Sequence, residues 1–180
     1  GRLRRLREVA FLSIVVKCHV VIEGLSRRSV IRAPHHVVPS GFRIGVYEVV
    51  AKLGEGGMGE VYRGRDTRLD REVALKVMLP ETAGDPEQKQ RFEREARAIA
   101  RLSHPGIVTV FDLGYHTDGS PYIVMELLKG QDLLARLREA PPLSLGQKVS
   151  IVTQVLDGLG HAHKAGIVHR DIKPANVFLI

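Results

Sequence analysis

From Tyr47 onward the chain carries short β-branched runs in which apolar and polar positions roughly alternate, divided by turn residues. YEVVAKLG, starting at Tyr47, predicts a strand. The glycine turn GEGGMG follows, EVYRGRD resumes the strand pattern, and RLDREVALKVML predicts a short turn and a third strand. Asp85 and Pro86 then open a helix, with Asp85 as N-cap and Pro86 at the first helical position. Phe92, Ala96, Ile99 and Ala100 recur at helical spacing as far as Leu102, where SHPG stops the helix. IVTVFDLGYH and PYIVMELL predict two more strands around the turn HTDGS. After Gly130 the pattern becomes helical. A short amphipathic helix is expected over Gln131–Glu139, broken by Pro141 and Pro142. A long helix follows from about Ser144 to Ala165, with Val149, Val152, Val155, Leu156 and Leu159 on one face and Gly166 as its C-cap. Five strands with one helix among them, then helices, predict an α+β fold.

Residues 1–41 read differently. VAFLSIVVKCHVVI, at 9–22, is apolar but interrupted by Lys17, leaving only Val9–Val16 continuous. A membrane-spanning helix needs about 20 apolar residues. A signal peptide needs fewer, but no small-residue cleavage site follows closely. The β-branched content suits a buried strand equally well. Residues 26–41 carry two prolines and few large apolar residues, the composition of a linker. The sequence therefore predicts a basic leader or linker at 1–41, which is a real extension, a weak membrane-surface segment or sequence foreign to the protein, and an organised domain over 42–180.

Charge sharpens this division. The net charge is +7, yet residues 1–40 hold eight basic side chains (Arg2, Arg4, Arg5, Arg7, Lys17, Arg27, Arg28, Arg32) against Glu8 and Glu23. The domain itself is close to neutral, so no nucleic-acid partner is expected for it. Cys18 is the single cysteine, which excludes an internal disulfide and a cysteine-built zinc site. His35 and His36 lack spaced metal-ligand partners and read as loop histidines.

Three motifs carry candidate chemistry. Gly54-Glu55-Gly56-Gly57-Met58-Gly59-Glu60-Val61 is a G-x-G-x-x-G-x-V string. A dinucleotide site would need a helix directly after it, whereas EVYRGRD is strand-like. A glycine turn between antiparallel strands can close its backbone N–H groups over phosphates, since no Cβ intervenes. Val73-Ala74-Leu75-Lys76 sets a lysine within an apolar strand, where it needs an anionic partner. Glu93 and Glu95 lie on the following helix about 200° apart, so one alone can face Lys76. Glu95 falls beside Phe92, Ala96 and Ile99 and is the choice. His169-Arg170-Asp171-Ile172-Lys173-Pro174-Ala175-Asn176 offers Asp171 to accept from an attacking hydroxyl and Lys173 to neutralise a transferred phosphoryl group. Asn176 adds an amide oxygen for Mg2+. A flexible hairpin or a polar loop would not explain this order and spacing.

In that order the motifs resemble the protein kinase signature set, and the resemblance covers about residues 47–180. GEGGMGEVY, RFEREA and HRDIKPAN look most like bacterial-type serine/threonine protein kinases. The resemblance implies a kinase-like five-stranded antiparallel N-lobe sheet with one main helix over about 42–128. The hinge and the first C-lobe helices would occupy 129–180. It implies ATP and Mg2+ as cofactors, with Leu53, Gly54, Gly56, Gly57, Gly59 and Val61 over the nucleotide and Ala74 completing an apolar roof. Lys76 would grip the phosphates, with Glu95 as its ion-pair partner. Met125 takes the gatekeeper place, and Glu126 to Leu128 the hinge whose backbone meets adenine. Asp171 and Lys173 take the catalytic places, and Asn176 is the metal ligand. His169 would support the catalytic loop. Lys173 stands as in serine/threonine kinases, which argues against a small-molecule phosphotransferase.

The partners implied are proteins with Ser/Thr acceptors, and the kinase domain would be cytoplasmic, any membrane anchor lying in other segments. The Asp-Phe-Gly segment and activation loop of the family do not occur up to Ile180. The chain as it stands is thus expected to transfer little phosphate, and a nucleotide- or partner-binding module without chemistry is the alternative. An apolar stripe at Val149, Val152, Val155 and Leu159 is expected to lie exposed.

Overall fold

The computed structural model describes residues 16–19, 42–56 and 59–180. In chain order the first strands are β1 (Val16–Cys18), β2 (Arg43–Ile44), β3 (Tyr47–Gly56), β4 (Gly59–Asp66) and β5 (Arg71–Val77). Helices α1 (Pro80–Ala83) and α2 (Pro86–Ile99) follow, then β6 (Val110–Tyr115), β7 (Pro121–Glu126) and β8 (Gln131–Asp132). The last elements are α3 (Leu133–Leu137), α4 (Leu145–Lys164), a 3-10 turn at Pro174–Asn176 and β9 (Val177–Leu179). They fall into two compact units. One is the described part of Ile31–Ala100 together with Thr109–Leu128; the other is Arg101–Val108 and Lys129–Ile180 with residues 16–19.

The first unit is a six-stranded antiparallel sheet in the order β2-β3-β4-β5-β7-β6. The five expected strands are all present. The sixth is the two-residue β2, folded onto β3 through Gly45 at φ 59°. Side chains alternate across each strand, and β5 shows the result. Val73 and Leu75 point into a core with Ile44, Tyr47, Val49, Tyr122 and Val124. Ala74 and Lys76 point the other way, toward the side where α2 seals Met78, Phe92, Ala96 and Ile123. The α2 N-terminus forms as its sequence dictates: the Asp85 side chain accepts from the amides of Glu87 and Gln88, with Pro86 in the first turn.

The second unit holds α4 against a small sheet in the order β1-β9-β8. A capping box starts α4: Ser144 Oγ accepts from Gln147 N at 3.2 Å, and Gln147 Oε1 accepts from Ser144 N at 2.9 Å. Two findings differ from the sequence reading. The helix turns Ile151, Gly158 and Ala162 inward with Val155 packed beside them, and leaves Leu145, Val149, Val152 and Leu156 exposed. The exposed stripe is therefore shifted from the expected Val149, Val152, Val155 and Leu159. Gly158 lies on the inward side, where a Cβ would meet Gly106, Val16 and Ile107 at ordinary contact distances of 3.5–3.8 Å. The second concerns the leader read as foreign to the domain: β1, a buried strand as its β-branched content allowed, belongs to this unit. It pairs in parallel with β9, and Val16 and Cys18 are fully enclosed. The rest of the leader lies outside the described residues.

Candidate active site

The predicted residues occur in both units, and each set is built locally. In the first unit, strand register assembles one cross-strand row: Gly54 pairs with Val61, Val61 with Lys76, and Lys76 with Ile123. The adjacent row joins Arg63, Ala74 and Met125. Since paired residues share a face, Gly54, Val61, Ala74, Lys76 and Met125 lie on one side of the sheet. Leu53 sits at a β-bulge between Lys52 and Gly54. Gly57 lies outside the described residues.

The glycines of the turn have different reasons to be glycine. At Gly54 and Gly56 a Cβ would meet nothing within 4 Å, so the backbone there is open to a ligand. Gly59 holds φ 150°, and a Cβ on it would stand 2.0 Å from the Val77 carbonyl oxygen. That position is glycine because β4 crosses β5 closely, a packing reason in addition to any phosphate contact.

Lys76 sits on an aromatic cushion, its Nζ 5.6 Å from the Phe92 ring centroid. Burial pushes its ammonium below the usual lysine pKa; the Glu95 charge pulls it back up and the Arg91 charge pushes it further down. Glu95 is buried, and burial raises its carboxyl, opposed by the Lys76 charge and the Arg91 hydrogen bond. The expected ion pair therefore takes a looser form. Lys76 and Glu95 feel each other's charge, but the direct contact to Glu95 comes from Arg91 Nε at 3.2 Å, one helical turn earlier. Glu93 faces elsewhere, on Arg97 at 3.1 Å. Phe92 was expected on the apolar face of the helix but not against Lys76, and Arg91 was not expected at all, although the i,i+4 spacing of Arg91 and Glu95 was available as a signal. At Glu126 the backbone N–H donates to Thr109 O at 3.0 Å, while Leu128 ends the unit.

In the second unit, the loop from His169 to Asn176 is tied on itself. His169 is buried, and its Nδ1 accepts from the Asp171 backbone N–H at 3.2 Å. Asn176 Nδ2 donates to the Asp171 backbone oxygen at 2.8 Å and to its Oδ2 at 3.1 Å. Lys173 Nζ stands 2.7 Å from the same Oδ2. The Lys173 hydrogen bond, helped by Asn176 and nearby positive charge, holds the Asp171 carboxyl below the usual carboxylate range against the opposing effect of burial. Asp171 is therefore ionised at neutral pH. It accepts and orients a hydroxyl proton more readily than it removes one. Arg170 adopts φ 62°, a left-handed conformation that costs a non-glycine residue about 1–2 kcal/mol. Such stored strain marks functional loops, and no sequence signal announced it.

These arrangements fit the groups the motifs imply. Asn176 commits its amide nitrogen to Asp171, leaving the oxygen as its metal-binding atom. Among the described residues no cluster of three or more His, Cys, Asp or Glu side chains is set to hold a metal. Mg2+ is ordinarily held by few protein oxygens together with substrate phosphates.

The chain belongs to the protein kinase domain family, whose profile matches residues 47–180. The family's members transfer phosphate from ATP, generally with Mg2+. Among the chain's relatives are bacterial kinases. It is 47% identical over 133 residues to the serine/threonine-protein kinase pkn3 of Myxococcus xanthus, covering 74% of this chain and 24% of that protein. It is 48% identical over 134 residues to the serine/threonine-protein kinase PknL of Mycobacterium tuberculosis, covering 74% and 33%. The crystal structure of the Mycobacterium tuberculosis PknI kinase domain superposes with a TM-score of 0.66 at 36% identity, over 78% of this chain and 61% of that one. The chain thus spans a quarter to a third of these two curated relatives.

Proposed function

We propose that this chain supplies the nucleotide-binding strands and the catalytic loop of a serine/threonine protein kinase that moves the ATP γ-phosphoryl group to Ser or Thr hydroxyls of proteins. The observation that carries the reading is the Asp171–Lys173–Asn176 constellation, an ionised acceptor held by an ammonium and an amide within one short loop. Lys76 and the open backbone at Gly54 and Gly56 would hold ATP phosphates. The apolar Val61, Ala74 and Met125 on the same face would cover the adenine, and the backbone from Glu126 to Leu128 would meet its edge. Leu53 and Gly59 shape the turn above it. Asn176 would bind Mg2+, which neutralises phosphate charge. Asp171 would orient the acceptor hydroxyl, and Lys173 would pass from Asp171 to the transferred group.

Acceptors are proteins, and the reaction belongs in the cytoplasm. Among the described residues no helix is long and apolar enough to cross a membrane. Calorimetric titration of the chain with Mg-ATP tests the nucleotide half: saturable binding that weakens at least about tenfold in Lys76→Met is expected, and no binding refutes it. Phosphate transfer by the native gene product, offered Ser/Thr peptides and small hydroxyl compounds side by side, tests the rest. Asp171→Asn should lower peptide turnover by roughly 10²–10⁴-fold. Preference for small hydroxyl acceptors would overturn the protein-substrate reading.

A further inference from the structure

On the sheet face opposite Lys76, four side chains interlock beside the glycine turn. Glu55 and Glu60 are directly opposed across β3 and β4, one pair before the turn closes at Gly56 and Gly59. Directly opposed like charges push a hairpin apart. Lys52 answers both: its Nζ lies 2.7 Å from Glu55 Oε2 and 2.5 Å from Glu60 Oε1, with its side chain only 11% exposed. The second Glu60 oxygen accepts from Tyr62 OH, and Tyr62 is the cross-strand partner of Lys52.

The geometry depends on the bulge. In a regular strand Lys52 and Glu55, three residues apart, would point to opposite faces. The register shift between Lys52 and Gly54 inserts Leu53 and brings both to the Tyr62 and Glu60 side. Val61 and Lys76 occupy the other face. Lys52 thus stands behind the turn, away from the face where Gly54, Val61 and Lys76 line up. The two carboxylates hold its ammonium above the usual lysine pKa, so it stays charged at physiological pH.

We propose that Lys52 is a positioning residue: by neutralising Glu55 and Glu60 it locks the stems of the glycine hairpin and so sets nucleotide affinity without touching nucleotide. The affinity part rests on the nucleotide-binding reading above; the locking part does not. Without Lys52, two facing carboxylates would spread the strands and add repulsion to an incoming polyphosphate.

The test uses the whole chain and three variants: Lys52→Met, which keeps the packed stem and loses the charge; Lys52→Arg, which restores it; and the double variant Lys52→Met with Glu55→Gln, which removes one opposed carboxylate. Amide hydrogen exchange without nucleotide should be on the order of tenfold faster at residues 52–56 and 59–62 in Lys52→Met, the loss of a charge-assisted contact. Exchange in α4 should not change. Lys52→Arg and the double variant should return to within about threefold of the parent. ATP affinity should follow the same order. Unchanged hairpin exchange in Lys52→Met, or a double variant no slower than the single one, overturns the lock. If the parent chain binds no ATP, the nucleotide reading and the affinity claim fall, while exchange still decides the lock.

Discussion

Lys76→Met should stabilise the ligand-free protein. The structure places the Lys76 ammonium in surroundings that lower its pKa from 10.5, chiefly by burial, with Arg91 adding repulsion and Glu95 alone attracting. Between the lowered folded value and 10.5 the unfolded chain binds a proton that the native chain lacks, so native stability climbs with pH through that window. Below the folded value the penalty is present in full. Methionine removes it and keeps the apolar stem against Phe92, while Glu95 keeps its 3.2 Å contact with Arg91 and is not orphaned. Exchanging buried charge for apolar side chains gains about 1–4 kcal/mol elsewhere. Lys76 is partly buried and retains one attractive neighbour, so about 1 kcal/mol at pH 7 is expected. For a chain of this size that corresponds to roughly 2–4 °C in Tm. Glu95→Gln should remove the one attraction for Lys76 and lower its pKa further, so the climb in stability with pH should begin at a lower pH. Thermal melts at pH 7 and near pH 10.5 read the outcome: the gap between Lys76→Met and the parent must narrow as pH rises. A less stable Lys76→Met, or a gap that ignores pH, refutes the reasoning.

Other outcomes follow from single elements. Burial pushes the Cys18 thiol up to about 11, and the residue is fully enclosed beside β9, so a thiol reagent should modify it only as fast as β1 detaches; instant labelling at neutral pH would mean β1 is not docked. Ser144→Ala removes the α4 capping box and should cost about 1 kcal/mol in urea unfolding. Gly59→Ala forces a Cβ onto the Val77 carbonyl and should destabilise the first unit even without nucleotide, a loss visible in the melt rather than only in binding. Leu145, Val149, Val152 and Leu156 form an exposed apolar stripe on α4, so sedimentation should show concentration-dependent association that Val152→Lys with Leu156→Lys suppresses.

What the sequence made legible was local. Alternation in YEVVAKLG, EVYRGRD and REVALKV marked β3, β4 and β5 because each strand's two faces meet different surroundings. Asp85-Pro86 marked the start of α2 by capping chemistry alone. In the loop from His169 to Asn176 the residues singled out by their order meet one another, through contacts between Asp171 and its neighbours His169, Lys173 and Asn176. Val149, Val152, Val155, Leu156 and Leu159 span about 120° of one face of α4, and the structure packs the edge that carries Val155 while leaving Val149, Val152 and Leu156 exposed. The β1–β9 pairing joins opposite ends of the chain, where no periodicity reports contact. Arg91 as the direct partner of Glu95 lay within reach of the i,i+4 rule, but Lys76 on β5 competes for the same carboxylate and periodicity does not rank the two.

The two sets of candidate residues are tuned in opposite directions, and the contrast bears on what each lacks. Asp171 is partly exposed and surrounded by donors, so its charge is stabilised before any ligand arrives. Lys76 is held where burial and Arg91 oppose its charge and Glu95 compensates only in part. Glu95 itself divides its charge between Lys76 and a direct contact with Arg91. The Lys76 environment is thus short of negative charge, and a polyphosphate placed beside it would supply what is missing. Such a ligand would raise the Lys76 pKa back toward 10.5, so binding would take up protons at a pH between the lowered value and 10.5. Calorimetric titrations of ATP in two buffers of different ionisation enthalpy measure that uptake. Its loss in Lys76→Met would assign it to this lysine, and uptake that persists in the variant would show that another group answers the ligand.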